Sequence, residues 1–256
     1  MQDIKGVLID LDGVLHQRGA AIPGSIEAIA RLRQLNLDFR FITNTTRLPI
    51  RCVAGELAAI GVIAERSHLF TPALAARTYI KDHDLAPYLL INSALKEDFA
   101  GAGGGSKRAV VIGDAHHEFN YENLNEAFRL IEGGADFLAL ATNRSFRDAD
   151  GQLSLDAGGF VAALEYATGR KSRVLGKPSP DFFHMAVEHM GLAPQNTVMI
   201  GDDAEFDVSA AIKAGLHGIL VRTGKYKPRA EEGVEPRPDA VTGNLWEAVE
   251  LIGEGK

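Results

Sequence analysis

A short apolar segment near the start of the chain leads directly to two aspartates. Residues 6–9 read Gly-Val-Leu-Ile, Asp10 and Asp12 follow with one leucine between them, and Gly13 comes next. Side chains alternate between the faces of a strand, so residues two apart point the same way. A wholly apolar strand is typical of a parallel sheet covered on both faces. The pattern predicts a buried parallel strand with both carboxylates at its carboxyl end, where open α/β sheets bind ligands.

Two neighbouring carboxylates repel each other unless a cation lies between them, and oxygen ligands suit Mg²⁺. A second interpretation is that Asp10 and Asp12 merely end a strand at a turn, where Asp and Gly are common. The motif alone does not separate the two interpretations.

Three later segments repeat the arrangement of apolar residues followed by polar groups. The strand-like runs at 39–42, 174–175 and 197–200 are followed by Thr43 with Asn44, by Lys177, and by Asp202 with Asp203. Hydroxyl, amide and ammonium groups are the donors that bind a phosphate. Four predicted strand ends therefore offer carboxylates, a hydroxyl, an ammonium and further carboxylates, in that order.

Strand-like and helix-like segments alternate along the chain, which predicts parallel βαβ units with right-handed crossovers. After Pro23 the spacing predicts a helix with Ile26, Ile29, Ala30 and Leu32 on its apolar face. The stretch from about 71 to about 170 has apolar runs and helices of its own, so it can form a separate core.

Composition excludes several classes of protein. The 256 residues include 27 Lys and Arg against 34 Asp and Glu, and the net charge of −7 argues against a nucleic-acid surface as the main function. No apolar run approaches the roughly 20 residues that cross a bilayer, and the first residues lack the pattern of a secretory signal. The single cysteine, Cys52, fits a reducing compartment. We expect a cytoplasmic protein with neither nucleic-acid nor membrane partners.

Taken together, the motifs resemble those of a known enzyme family. The order of DLDGV at 10–14, Thr43 with Asn44, GKPSP at 176–180 and GDD at 201–203 is similar to the haloacid dehalogenase (HAD) superfamily. The long insert between Thr43 and Lys177 is similar to that of its type IIA members, which include NagD-like and p-nitrophenylphosphatase-like enzymes. Residues 113–127 and 163–183 also resemble this group. Within it, the chain is similar to members of the phospholysine phosphohistidine inorganic pyrophosphate phosphatase type.

The resemblance implies an α/β fold in two parts. The core is a Rossmann-like parallel sheet with helices on both faces, formed by residues 1–72 and 173–256. An α/β cap domain of the C2 type, residues 73–172, is inserted into it. Type IIA relatives often pair through their caps, so a homodimer through the cap is also expected.

The resemblance further implies a Mg²⁺-dependent phosphatase that acts on a small phosphorylated metabolite. Asp10 would be the nucleophile that forms an aspartyl-phosphate, and Asp12 would be the general acid and base. The metal would bind the Asp10 carboxylate, the Asp12 main-chain carbonyl and Asp202. The phosphoryl group would be bound by Thr43, by Asn44 and its neighbouring backbone amides near a helix N-terminus, and by Lys177.

Several roles stay open in the sequence. Asp203 and Asp207 either support the metal or orient Lys177, and Asp207 is equally compatible with a place on a helix face. Arg144 and Arg147, in a predicted cap loop, either bind a second anionic group of the substrate or belong to a solvated basic loop. The sequence does not identify the physiological substrate.

Three other functions are compatible with the same fold. A dehalogenase would attack carbon without a metal, a phosphomutase would return the phosphoryl group to a second position on the substrate, and a catalytically inactive binding protein would retain only the fold. Asp12 and Asp202 argue against the dehalogenase, and the presence of Asp10, Asp12, Lys177 and Asp202 together argues against the inactive protein. Analysis of the products would distinguish the phosphomutase.

Overall fold

The computed structural model describes residues 3–148 and 150–255, which divide into two compact units. The first, which we call the core unit, comprises the residues up to Thr43, Arg51–Phe70 and the residues from Lys177 onward. The second, which we call the inserted unit, comprises Asn44–Ile50 and Thr71–Gly176. Among the described residues, every helix is too short or too polar to cross a lipid bilayer.

The strands, in chain order, are β1 Gly6–Asp10, β2 His16–Gln17, β3 Ala20–Ala21, β4 Asp38–Ile42, β5 Leu69–Phe70, β6 Leu85–Leu90, β7 Lys107–Ile112, β8 Asp136–Ala139, β9 Ser145–Arg147, β10 Leu153–Leu155, β11 Arg173–Val174, β12 Thr197–Gly201, β13 His217–Val221 and β14 Ala240–Thr242. The α-helices are α1 Ser25–Gln34, α2 Ile50–Ala59, α3 Pro72–Asp82, α4 Tyr121–Glu132, α5 Ala157–Thr168, α6 Pro180–Glu188, α7 Ala210–Lys213 and α8 Leu245–Glu254. A π-helical segment covers Ala204–Ser209, and short 3₁₀ helices cover Arg66–His68, Ser93–Phe99, His116–Glu118, Pro194–Asn196 and Ala230–Glu232.

The core unit contains a six-stranded parallel sheet in the order β14-β13-β12-β1-β4-β5. Every residue of β1 and of β12 is buried, which explains why both segments are apolar. The chain adds β4 and β5 on one side of β1, and later adds β12 to β14 on the other side. The strand order therefore reverses between β1 and β12, and ligands of open α/β sheets bind at such a reversal.

Helices cover both faces of this sheet. The crossovers from β1 to β4 and from β12 to β13 run in opposite directions, so right-handed connections place their helices on opposite faces. α1 packs against α8, and α6 packs against α7. The predicted Rossmann-like α/β fold is confirmed.

The inserted unit has its own parallel sheet, in the order β11-β8-β7-β6, and an antiparallel hairpin of β9 and β10. Its hydrophobic core includes Val110, Ile112, Ala127, Phe137 and Val161. Helices α4 and α5 pack together in this unit. The inserted unit thus has the α/β architecture that was expected of the insert.

The bounds of the inserted unit differ from those expected in three places, since it begins at Thr71 rather than at residue 73, ends at Gly176 rather than at residue 172, and includes Asn44–Ile50. We expected the chain to return to the core at residue 173, but β11 pairs with β8, and Leu175 N donates to Ala139 O at 2.8 Å. Residues 173–176 thus complete the second sheet, and the core resumes at Lys177. Residues 44–50, which we expected in the core, belong to the inserted unit because their hydrogen bonds run to it. Ile50 N, for example, donates to Asp98 Oδ2 at 2.9 Å.

The apolar face of α1 was predicted partly wrong. Its buried residues are Ser25, Ala28, Ile29 and Leu32, whereas Ile26 is 40% exposed and Ala30 is also exposed. The buried positions follow the helical spacing i, i+3, i+4, i+7 from Ser25. The predicted apolar face began at Ile26, one residue too late, because the first buried residue, Ser25, is polar.

This difference gives a matched test on one helix. Ile29→Ala should lower the free energy of unfolding by about 2–5 kcal/mol, because it leaves a cavity in the core. Ile26→Ala should change it by less than about 1 kcal/mol, because this side chain is partly in solvent. Urea denaturation of both variants measures the difference, and equal losses would contradict the orientation of α1.

Candidate active site

A buried lysine lies between two buried aspartates at the carboxyl edge of the core sheet. Lys177 Nζ is 2.6 Å from Asp10 Oδ1 and 2.6 Å from Asp207 Oδ1. Burial lowers the pKa of Lys177, but the charges of the two carboxylates outweigh that effect and hold it above its usual value. The ammonium group therefore remains charged and neutralises part of this acidic edge.

These three residues come from distant parts of the chain. Asp10 ends β1, Lys177 is the first core residue after the inserted unit, and Asp207 lies in the π-helical segment after β12. Parallel strands end at one edge of a sheet, so β1 and β12 bring their acidic groups together.

Asp202, directly after β12, completes the acidic cluster. Carboxylate oxygens of Asp10, Asp202 and Asp207 all lie within 4.8 Å of one another. Lys225 N donates to Asp202 Oδ2 at 2.6 Å, whereas the buried Asp202 Oδ1 has no hydrogen-bond partner among the described residues. Burial raises the pKa of Asp202 to about 7, and the charges of Asp10 and Asp207 add to the increase.

The cluster fits a hard divalent cation. Its three carboxylates face one lysine ammonium, so ionising all of them leaves excess negative charge in a buried site. Carboxylate oxygens are ligands that Mg²⁺ prefers, and the unpartnered Asp202 Oδ1 is an acceptor without a donor. The structure thus shows an acidic group able to hold a metal ion, and it contains the predicted ligands Asp10 and Asp202.

Two backbone segments enclose the Asp202 carboxylate. A Cβ atom added to Gly13 or to Gly224 would collide with Asp202 Oδ2, and the Thr223 hydroxyl donates to Gly13 O. The sequence analysis missed residues 223–225. A signal was present, since Arg222 and then Thr-Gly-Lys follow the apolar run at 218–221, as polar groups follow the other core strands.

Asp12 lies outside the acidic cluster, with an exposed side chain. The chain turns sharply after it, since Gly13 N donates to His16 O at 2.7 Å and Gly13 has a φ of +88°. An exposed carboxyl group can exchange protons with a ligand or with water. Its predicted roles, as acid, base and source of a main-chain metal ligand, stay predictions.

The structure gives the side chains of Asp203 and Asp207 different partners. Asp203 Oδ1 accepts hydrogen bonds from Glu205 N and Phe206 N at 3.1 and 3.0 Å, so it caps the π-helical segment. Asp207 pairs with Lys177. Of the alternatives that the sequence left open, the geometry favours orientation of the lysine for Asp207 and a structural role for Asp203.

Thr43 and Asn44 lie on either side of the boundary between the units. Thr43 follows β4 in the core unit, and Asn44 begins the inserted unit. We expected the amides of Asn44 and Thr45 near a helix N-terminus, which is wrong because α2 begins only at Ile50. Residues 44–49 form a loop instead, in which Thr46 and Arg47 are hydrogen-bonded to Asp114 of the inserted unit.

The predicted cap residues lie in the β9–β10 hairpin or next to it. Arg144 is exposed, and the side chain of Arg147 lies outside the described residues. The Phe146 ring packs under the guanidinium of Arg47, with 3.8 Å between the Arg47 Cζ atom and the ring centroid. The sequence analysis gave Arg47 no role, because its partners become neighbours only in the folded inserted unit.

Comparisons with known proteins identify the family. A family model described as haloacid dehalogenase-like hydrolase matches residues 7–114, and a HAD-hydrolase-like model matches residues 174–248. The chain is 41% identical to haloacid dehalogenase-like hydrolase domain-containing protein 2 of Bos taurus over 97% of this chain and 96% of that protein. It belongs to the haloacid dehalogenase-like hydrolase family.

Other relatives of this HAD-like hydrolase carry phosphatase names. The chain is 38% identical to phospholysine phosphohistidine inorganic pyrophosphate phosphatase of Homo sapiens, over 97% of this chain and 94% of that protein. The structure resembles 4-nitrophenylphosphatase of Thermotoga maritima with a TM-score of 0.86, 28% identity and 97% coverage of both chains. It resembles NagD of E. coli K-12 with a TM-score of 0.87 and 26% identity, over 96% of this chain and 98% of that chain. The predicted type IIA family and enzyme class, a phosphatase among the HAD-like hydrolases, are confirmed.

Asp202 gives a prediction about stability and pH. Its pKa in the folded protein, about 7, exceeds the ordinary 3.8, so the folded state binds this proton more tightly than the unfolded state. The free energy of unfolding of the metal-free protein should therefore fall as the pH rises through this interval, by about 1.4 kcal/mol for each unit of pKa difference. Asp202→Asn should remove that part of the fall.

Urea denaturation in a chelator at about pH 5 and about pH 8 measures this effect. Asp82→Asn, which removes an exposed carboxylate at the end of α3, serves as the control and should behave like wild type. If Asp202→Asn lost stability between the two pH values as steeply as wild type does, the raised pKa would be wrong.

Proposed function

We propose that this HAD-like hydrolase is a Mg²⁺-dependent phosphatase that hydrolyses a small phosphomonoester or related phosphoryl compound through an aspartyl-phosphate on Asp10. One observation carries the proposal. Asp10, held by Lys177 at 2.6 Å, lies beside the unpartnered carboxylate oxygen of Asp202 at the point where the strand order reverses. The phosphatase names of the relatives support the same reaction class.

Asp10 is suited to be the nucleophile. Phosphoryl transfer needs an attacking oxygen in line with the leaving group and positive charge around the phosphoryl oxygens. The contact with Lys177 Nζ fixes one oxygen of the Asp10 carboxylate, which orients the whole group on a rigid strand end. Attack by the carboxylate forms an acyl phosphate and expels the alcohol, and water then releases inorganic phosphate.

Asp12 is suited to move protons. It lies two residues after Asp10, and its side chain is exposed, so it can donate a proton to the departing alcohol and later accept one from the attacking water. Dissociation of the alcohol from the site lets one carboxyl group perform both steps in sequence.

Mg²⁺ would be held by Asp10 and Asp202, with the Asp12 main-chain carbonyl as the predicted third ligand. When bound, it would offset the repulsion between the carboxylate nucleophile and the phosphate dianion. Thr43 and Asn44 supply hydroxyl and amide donors for the phosphoryl oxygens, and Lys177 supplies positive charge. A small phosphorylated metabolite in the cytoplasm, where the thiol of Cys52 stays reduced, is the proposed substrate.

The observations disfavour two of the rival functions. A dehalogenase that works without a metal would leave the buried Asp202 oxygen unpartnered and its charge uncompensated. An inactive binding protein would not need the Asp10–Lys177–Asp207 arrangement, since buried charge clusters destabilise a fold unless each charge is paired. A phosphomutase shares these features and differs only in the fate of the phosphoryl group.

The nucleophile is tested with p-nitrophenyl phosphate as the substrate. Wild type should release phosphate with MgCl₂ and lose this activity in a chelator, and Asp10→Asn should lower kcat by at least about 10³-fold because the amide cannot form an acyl phosphate. Borohydride quenching during turnover should reduce the acyl phosphate and leave homoserine at position 10, which mass spectrometry detects.

The control is Asp82→Asn, which removes an exposed carboxylate in the inserted unit and should keep the wild-type rate. Full turnover by Asp10→Asn would refute the nucleophile assignment. Transfer of phosphate between positions of one substrate, without release of inorganic phosphate, would instead indicate the phosphomutase.

A further inference from the structure

Arg47 makes three contacts within the inserted unit. Its Nε donates to Asp114 Oδ2, its Nη1 lies 3.8 Å from Asp148 Oδ1, and its guanidinium lies over the Phe146 ring. The planar guanidinium matches this combination, because it donates along its edge and stacks on an aromatic ring with its face. We call Arg47, Asp114, Phe146 and Asp148 the Arg47 cluster.

The main partner of Arg47 is itself fixed in place. Asp114 is 5% exposed, and His116 N donates to Asp114 Oδ1 at 3.1 Å. Asp114 N donates to Thr46 Oγ1, also at 3.1 Å. Thr46 and Arg47 thus both bind Asp114. Arg47 pairs with its carboxylate, and the Thr46 hydroxyl accepts a hydrogen bond from its backbone N–H.

The far end of the loop is attached as well. Ile50 N donates to the buried Asp98 Oδ2 at 2.9 Å. Residues 46, 47 and 50 are therefore all hydrogen-bonded to the inserted unit, which explains why this short segment groups with that unit although β4 and most of α2 belong to the core.

The loop is continuous with the proposed phosphate site. The boundary between the units falls between Thr43 and Asn44 and again between Gly176 and Lys177. A Cβ atom added to Gly176 would lie 2.9 Å from Asn44 Oδ1, so Asn44 packs closely against the residue before the lysine. Two proposed phosphate ligands of the core unit, Thr43 and Lys177, are each one peptide bond from the inserted unit.

We propose that Arg47 is a positioning residue for phosphate binding. By attaching the loop to Asp114, Asp148 and Phe146, it fixes the conformation of the Thr43–Asn44 turn and so presents the donors of that turn to the phosphoryl group. Arg47 acts through this turn and does not contact the substrate. The inference rests on the proposed function, since it assigns Thr43 and Asn44 to the phosphate.

Two variants test the role of Arg47, with one matched control. Arg47→Lys keeps the charge but loses the planar fork and the stacking on Phe146, and Asp114→Asn removes the charge of the main partner. The control is Arg108→Lys, the same exchange at an exposed position of β7 in the same unit. Amide hydrogen exchange, calorimetric titration with inorganic phosphate in MgCl₂, and kinetics with two phosphomonoesters of different leaving groups are measured for each.

Both test variants should show faster amide exchange in residues 43–47 and should bind inorganic phosphate about tenfold more weakly, because the donors are less well placed. KM should rise by the same factor for both esters, and the control should match wild type. Unequal changes for the two esters would mean that Arg47 contacts the leaving group and would overturn the proposal.

Unchanged phosphate affinity would overturn it as well, even with a lower melting temperature, because Arg47 would then only stabilise the inserted unit. Failure of the proposed function gives a different result. In that case wild type would hydrolyse neither ester, while exchange at residues 43–47 would still report whether Arg47 holds the turn.

Discussion

A single ammonium group shared by two buried carboxylates is the interaction on which the catalytic edge of this HAD-like hydrolase depends. Lys177 Nζ lies 2.6 Å from a carboxylate oxygen of Asp10, at the end of β1, and 2.6 Å from one of Asp207, after β12. The lysine thereby connects the two strands between which the strand order of the sheet reverses. Buried charges are expensive unless each has a partner. The lysine supplies one positive charge for two aspartates, and the third, Asp202, keeps an oxygen without a donor. The acidic cluster thus keeps excess negative charge where we propose that Mg²⁺ and then a phosphate bind.

The inserted unit interrupts the core beside two residues that we assign to phosphate binding. An α/β unit of about a hundred residues interrupts the core directly before Lys177, and a short loop of the same unit interrupts it directly after Thr43. Both connections therefore lead directly into residues of the proposed phosphate site. This covalent continuity is one physical route by which a change in the conformation of the inserted unit can reach Thr43 and Lys177.

The sequence predicted the elements whose signal is local. Apolar runs that end in acid located β1 and β12, since a strand buried on both faces and its polar end are both visible in consecutive residues. It left the role of Asp207 open between several alternatives, and it did not predict the enclosure of Asp202 by Gly224 or the contacts of Arg47, because these depend on residues that only the fold brings together. Position 173 and the loop at 44–50 were assigned to the wrong unit for the same reason, since pairing with β8 and hydrogen bonds to Asp98 have no signature in the local sequence.

The backbone on two sides of Asp202 limits which amino-acid substitutions this enzyme can accept. Gly13 and Gly224 approach its carboxylate so closely that neither position has room for even a methyl group, and both have positive φ angles that disfavour other residues. On these two sides of the acidic cluster no side chain is available to vary. A substitution at either glycine would have to displace the Asp202 carboxylate or the backbone beside it.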